Sequence, residues 1–234
     1  MNTLVSTSTE FLSAAELAEL RLFSSPTIAN AIETFGVRPR LVGITRTGVN
    51  CHFPQLGPMV GYACTATILS SQPPAKPRKV DRREYWEYVR DFPAQKVSVV
   101  QDLSETPMGA YWGEVNVNMH QALGSQGLLT NGAVRDLVEV ERARFHVFAG
   151  SVAVSHGWAH LEDFNRPVEV FGMLVQPGDL IHADLHGAVV IPHEIAGRVA
   201  QAARQVEASE KPILAACGTP EMIDVFDQLV SPDY

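Results

Sequence analysis

The stretch "TNGAVRDLVEV", residues 130–140, decides how this chain reads. Small and apolar residues run up to an Arg135–Asp136 pair, and an apolar and acidic pattern follows. That order describes a buried strand ending in a turn that opens a helix. Adjacent opposite charges at the end of a buried strand are costly unless something offsets their desolvation. The question is what Arg135 and Asp136 hold.

Outward from that point the chain alternates helical and strand patterns. "SAAELAELRLF" (13–23) reads as a short amphipathic helix capped by Ser13, and "SSPTIANAIETFG" (24–36) carries Ser and Pro at its start and Gly at its end. "MVGYACTATILSS" (59–71) reads as a strand, "DRREYWEYVRDF" (81–92) as a helix and "KVSVVQD" (96–102) as a buried strand. "WGEVNVNMHQALG" (112–124) is read as a helix with Val115, Met119, Ala122 and Leu123 on its inward face and Gly124 closing it. Downstream, "FHVFAGSVAV" (145–154) is strand, "VSHGWAHLEDFNRP" (154–167) a polar loop, and 167–192 a run of short strands. Their turns are at Pro177–Gly178 and His186–Gly187. A helix over 193–210, with Ile195, Val199, Ala202 and Val206 inward, and another over 219–230 close the chain. No repeat or linker interrupts this, so one mixed α/β domain is expected, with helical extensions at both ends.

The 234 residues carry a formal charge of −8 and are 46% hydrophobic, which suits a globular domain and argues against nucleic acid or an anionic membrane as partner. The one dense basic cluster, "KPRKVDRR" (76–83), is read as a solvated loop entering a helix, with a phosphate or partner contact as the alternative. Three scattered cysteines, Cys51, Cys64 and Cys217, read as reduced thiols, with Cys64 a small core residue. The N-terminus lacks a basic, then apolar, leader pattern, and no run reaches the ~18 apolar residues a membrane helix needs. A cytoplasmic chain is expected.

Two readings of the charged pair stand. One is a structural ion pair, or Asp136 capping the helix that begins at Leu137. The other is a site, with Arg135 a planar fork for a carboxylate and Asp136 a hard oxygen ligand for a divalent cation. Glu139, three residues on, would share a helix face with Asp136. A helix beginning at Gly113 would present unpaired N–H groups to an anion.

Gly113, a helix, a short strand, "NGAVRD" and Glu139 together resemble the signature of the RraA-like family. That family holds the regulators of ribonuclease activity and the class II 4-hydroxy-4-methyl-2-oxoglutarate/4-carboxy-4-hydroxy-2-oxoadipate aldolases. "PGDLIHADLHGAVVIP" (177–192) is similar to its late strand pair, and the resemblance covers about 25–210, leaving 211–234 as an extension. It implies a layered α/β sandwich of the swivelling phosphohistidine-domain type, assembled as a homotrimer or hexamer. It also implies that Asp136 binds Mg2+ or Mn2+ and that Glu114 reaches the metal through water. Arg135 would pair with a pyruvate-like fragment whose carboxylate rests on the N–H groups of Gly113, Glu114, Val115 and Asn116. Glu210 of a neighbouring subunit, or Glu207, would complete the metal's carboxylates.

Cleaving a bond next to a 2-keto acid, or decarboxylating oxaloacetate, leaves an enolate of pyruvate. A cation and an arginine stabilise it without a Schiff base. Lys76, Lys79, Lys96 and Lys211 all stand in polar or strand-edge contexts, so no desolvated lysine is expected. The expected function is therefore a metal-dependent 2-keto acid lyase. The alternative is a non-catalytic regulator that binds an RNA-processing enzyme. A methyltransferase is not expected, because no Gly-rich strand–loop–helix for S-adenosylmethionine stands near the N-terminus. His156, His160, His182 and His186 fit no common zinc spacing and are read as surface or pocket-lining residues, with a substrate-selecting role open to His156 and His160. Trp112 and Trp158 are read as core or pocket wall, Asp184 as a turn residue.

Overall fold

The computed structural model describes residues 11–75 and 80–229. The segment read for a leader (before Phe11), the "KPRK" half of the basic cluster (76–79) and Val230 of the last expected helix lie outside the described residues. Helix α1 (Ala14–Leu20) opens on a reciprocal cap, Ser13 accepting from the Glu16 N–H and the Glu16 carboxylate accepting from the Ser13 N–H. Helix α2 (Ser25–Glu33) is capped by Ser24, carries Pro26 in its first turn and stops short of Gly36, whose φ is 63°. Then come β1 (Asn50–Cys51), β2 (Met59–Leu69), α3 (Arg82–Asp91) and β3 (Lys96–Asp102). They are followed by β4 (Ala110–Trp112), α4 (Glu114–Ala122), β5 (Ser125–Val134), α5 (Leu137–Arg142) and β6 (His146–Val152). The last third adds β7 (His160–Phe164), β8 (Val168–Val170), β9 (Met173–Val175), β10 (Leu180–Asp184), β11 (Gly187–Ile191), α6 (Ala196–Ala216) and α7 (Met222–Leu229).

Strands β2, β3, β5 and β6 lie side by side and parallel, with helices as crossovers. Residues of β2 and β3 are buried on both faces, which is why their sequences are almost unbroken apolar runs. β10 and β11 extend the sheet antiparallel beyond β2, and β1 does so beyond β6. Ile44 bridges Val189 of β11 while Asn50 and Cys51 pair with β6, so residues 44–51 touch both edges and nearly close the sheet. The result is a mixed α/β fold. Leu17, Leu20, Ile28 and Ile32 pack with Val199 and Ala203 of α6 over one face. Tyr85, Val117 and Val140 fill the space under α3, α4 and α5, and the β8–β9 hairpin covers a third cluster around Met59, Val99 and Phe148.

Four local expectations are corrected. Trp112 belongs to a strand, and α4 buries Val117 and His120, whereas Val115 is 75% exposed and Ala122 lies on the surface. His120 is buried because both ring nitrogens find partners, the Tyr85 hydroxyl at 3.0 Å and the Asn116 carbonyl at 2.7 Å. The segment 154–167 is no plain loop, since β7 pairs antiparallel with β2. Helix α6 does not stop at 210; it runs through Pro212 to Ala216, where its side chains are largely exposed.

Candidate active site

The parallel strands end on one side of the sheet, where α/β proteins place their ligands. β3 pairs with β5 as far as Val100–Thr130, and β4 takes over the same side of β5 from Ala110–Ala133. The ladder runs one bond further, the Arg135 N–H donating to the Trp112 carbonyl at 2.9 Å. That bond puts Gly113 and the first turn of α4 directly beside Arg135 and Asp136. The Glu114 N–H donates to Asp136 Oδ2 at 3.0 Å, and Arg135 Nε lies 3.7 Å from the same oxygen.

Gly113 is extended (φ −153°), so its glycine answers to space and not to backbone angle. A Cβ there would fall against Asp136 Oδ2 and come within 3.0 Å of Arg135 Cγ and 3.1 Å of its Nε. Asp136 precedes α5 in the left-handed region (φ 55°, ψ 42°) and makes no side-chain cap. The expected cap is therefore corrected: the carboxylate turns away from its own helix to serve the start of α4. The burial expected for the pair is corrected too, because both side chains are 37% exposed. Arg135 Nε is nonetheless enclosed and has no hydrogen-bond partner among the described residues. The N–H groups of Val115 and Asn116, in the first turn of α4, have no acceptor within the described residues.

Arg135 opens into a cavity of about 190 Å³ walled by Arg82, Tyr111, Asn116, His156, His160 and Leu161, among others. No carboxylate lines it, so its charged walls are cationic. Arg82 arrives from the start of α3, its guanidinium 5.8 Å from the centre of the Trp86 ring, and is the residue that the solvated-loop reading missed. Its only local signal was its place in the basic cluster. His160 is buried and doubly engaged, Nδ1 with the Trp158 carbonyl at 2.7 Å and Nε2 with Glu162 at 2.9 Å. Burial pushes the Tyr111 phenol up to about 12.

Other expected residues lie elsewhere. Glu139 is half-buried on α5, and nothing brings its carboxylate to the cavity. Glu210 borders a separate groove between α2, α6 and α7, and the nearby Glu207 is exposed. Trp158 is 58% exposed, correcting its reading as core or pocket wall. Among the described residues the four histidines do not make one metal-binding group: His156 and His160 line the cavity, whereas His182 sits in the core against Ser25 Oγ at 2.9 Å and His186 lies 3.2 Å from Asp184. Asp184 is buried and also accepts the Ser25 N–H, more than a turn residue would. Lys96 is corrected as well. It is buried, its ammonium donates to the Val89 and Arg90 carbonyls at the end of α3, and desolvation lowers its pKa. It stands at the opening end of β3, across the sheet from Arg135.

Among the described residues no three acidic, histidine or cysteine side chains converge as a metal cluster. Asp136 accepts the Glu114 N–H through Oδ2, and among the described residues its Oδ1 has no hydrogen bond, so one carboxylate oxygen stands open beside the start of α4. That donor suits Mg2+, which keeps several waters and needs only one or two carboxylates.

The RraA-like family model, described as Aldolase/RraA, matches residues 25–190. A putative 4-hydroxy-4-methyl-2-oxoglutarate aldolase of Halalkalibacterium halodurans is 29% identical over 100 residues, 42% of this chain and 48% of that protein. The chain spans half or less of the length of the curated relatives it matches. An uncharacterized protein from Pseudomonas syringae pv. tomato superposes with TM-score 0.72 at 23% identity, over 97% of this chain and all of that one (100%). Streptomyces coelicolor RraAS2, titled an unusual member of the RNase ES inhibitor RraA protein family, gives TM-score 0.67 at 21% identity over 86% of this chain and 96% of its own. Both structures share the fold.

Proposed function

The chain belongs to the RraA-like family, and from that premise we propose that it is a metal-dependent lyase acting on a 2-keto acid through a pyruvate enolate. The reaction is retro-aldol cleavage of a 4-hydroxy-2-oxo acid, decarboxylation of oxaloacetate, or both. The observation that carries this reading is the clasp of Gly113–Glu114 with Arg135–Asp136, from which Arg135 reaches the wall of a cavity with cationic walls. Arg135, whose buried Nε has no hydrogen bond among the described residues, pairs with the oxygen on which enolate charge develops. The N–H groups of Val115 and Asn116 hold the substrate carboxylate, and Arg82 adds positive charge to the cavity wall.

Asp136 would bind Mg2+ or Mn2+ directly and Glu114 through water, and the ion would act as a Lewis acid at the 2-oxo group. Glu210 of a neighbouring subunit is the proposed further carboxylate, which requires a homotrimer or hexamer. A layered sandwich of the swivelling phosphohistidine-domain type, with residues 211–234 as an extension, is the fold assignment that goes with this reading. A cytoplasmic location completes it.

The test is pyruvate release over a panel of 4-hydroxy-2-oxo acids and oxaloacetate, with and without EDTA. Turnover that survives thorough chelation rejects metal dependence, and no turnover on any member rejects the lyase. The second reading, a regulator binding an RNA-processing enzyme, draws on the fold shared with RraAS2. Asp136 and the cavity favour the enzyme.

A further inference from the structure

We propose that His156 is the proton-transfer residue of this site, with its Nε2 as the atom that removes and returns the proton. The inference rests on the lyase reading and deepens it.

Retro-aldol cleavage needs a base for the 4-hydroxyl, and the cavity wall offers few. Arg82 and Arg135 are cations without a lone pair to give. Tyr111 stays protonated at neutral pH. The Asn116 amide nitrogen is committed to the Tyr111 carbonyl. Both nitrogens of His160 are taken, one by a carbonyl and one by Glu162. His156 is different. Its Nδ1 lies 2.8 Å from the Gly157 carbonyl, which can only accept, so in the neutral ring Nδ1 is the donor and Nε2 keeps the lone pair.

The backbone around His156 is built to hold it there. The Ala110 N–H donates to the Ser155 carbonyl at 2.9 Å, the Trp158 N–H to Ser70 at 3.0 Å, and the Ala159 N–H to His156 itself at 3.0 Å. Gly157, at φ 51°, lies against Gly109, and a Cβ on Gly109 would strike the His156 carbonyl. A surface loop with nothing to position has no need of backbone contact this close.

The step balances without a further reactant. Nε2 takes the 4-hydroxyl proton, the O–H electron pair becomes the new C4 carbonyl, and the C3–C4 bond breaks. Its electrons form the C2–C3 double bond, leaving charge on the C2 oxygen beside Arg135. Nε2–H then returns the proton to C3, giving pyruvate and a carbonyl product. Decarboxylation of oxaloacetate removes no hydroxyl proton, so it bypasses the first half of this sequence.

His156 is exposed, so its replacement should leave the fold standing. The experiment compares wild type, His156→Ala and His156→Gln in cleavage of 4-hydroxy-4-methyl-2-oxoglutarate, decarboxylation of oxaloacetate and deuterium exchange at C3 of pyruvate, each with and without added imidazole. Expected are a loss of cleavage of about 10²-fold or more, a smaller loss of decarboxylation, and partial recovery of His156→Ala with imidazole. Unchanged cleavage, or an equal loss in all three reactions that imidazole does not relieve, overturns the proposal while the lyase reading stands. A wild type inactive in all three sinks both.

Discussion

Asp136 Oδ2 accepts the Glu114 N–H at 3.0 Å, and by that bond the end of β5 is fastened to the first turn of α4. The carboxylate thereby commits one oxygen to the architecture, and the other has no hydrogen bond among the described residues. Gly113 makes the arrangement possible by having no side chain between the two.

Gly113→Ala tests that relationship. The added methyl has to displace Asp136 or Arg135, so turnover should fall by orders of magnitude, while overpacking costs about 1–3 kcal/mol. Thermal melting and pyruvate release on one preparation separate the two effects. Wild-type turnover in this variant contradicts the clasp.

Arg135→Ala and Asp136→Asn should each lower turnover by roughly 10²–10³-fold, the scale of a lost electrostatic stabiliser. Both side chains are partly exposed, so melting temperatures should hardly move. A large drop in stability with proportionate loss of activity points instead to a structural ion pair.

Lys96→Met should be destabilised by about 1–3 kcal/mol, because it leaves the Val89 and Arg90 carbonyls without their donor. Its activity per folded molecule should be normal, and borohydride should trap no pyruvate adduct on the wild type. A trapped adduct at Lys96 would replace metal chemistry with a Schiff base.

Acid should weaken the fold between pH 6.5 and 4. Burial lowers the pKa of His120, His146 and His182 from 6.5 to about 4 each, with nearby arginines adding to the effect at His146. Above 6.5 all three are neutral in both states and their contribution is complete. As pH falls the unfolded chain binds protons first, and stability is lost until the folded pKa is reached, on the order of a few kcal/mol per histidine. Urea midpoints across this range give the slope, which should be shallower in His146→Gln. A flat profile would show that these rings are hydrated.

How much of this was legible in the sequence follows from how local each cause is. β2 and β3 announced themselves because burial on both faces writes an uninterrupted apolar run. Gly113, Arg135 and Asp136 were legible through the family signature, not through local spacing, because the two segments are distant in the chain and meet only in the fold. The true face of α4 could not, because its rotation is set by Asp136 gripping the Glu114 N–H and by Tyr85 receiving His120, contacts 22 and 35 positions apart. Lys96 looked polar because the groups that bury it come from α3 and β2. Arg82 and His156 reach the cavity from opposite sides in sequence, and no spacing rule connects them.

The strap formed by residues 44–51 bears on how copies of this chain behave at high concentration. With Ile44 laid on β11 and Asn50–Cys51 on β6, neither rim of the sheet offers a long row of vacant amide groups to a stranger. Opening the backbone within that strap would create two adhesive margins at once. A nick or permuted terminus there should convert a well-behaved protein into one that polymerises strand to strand.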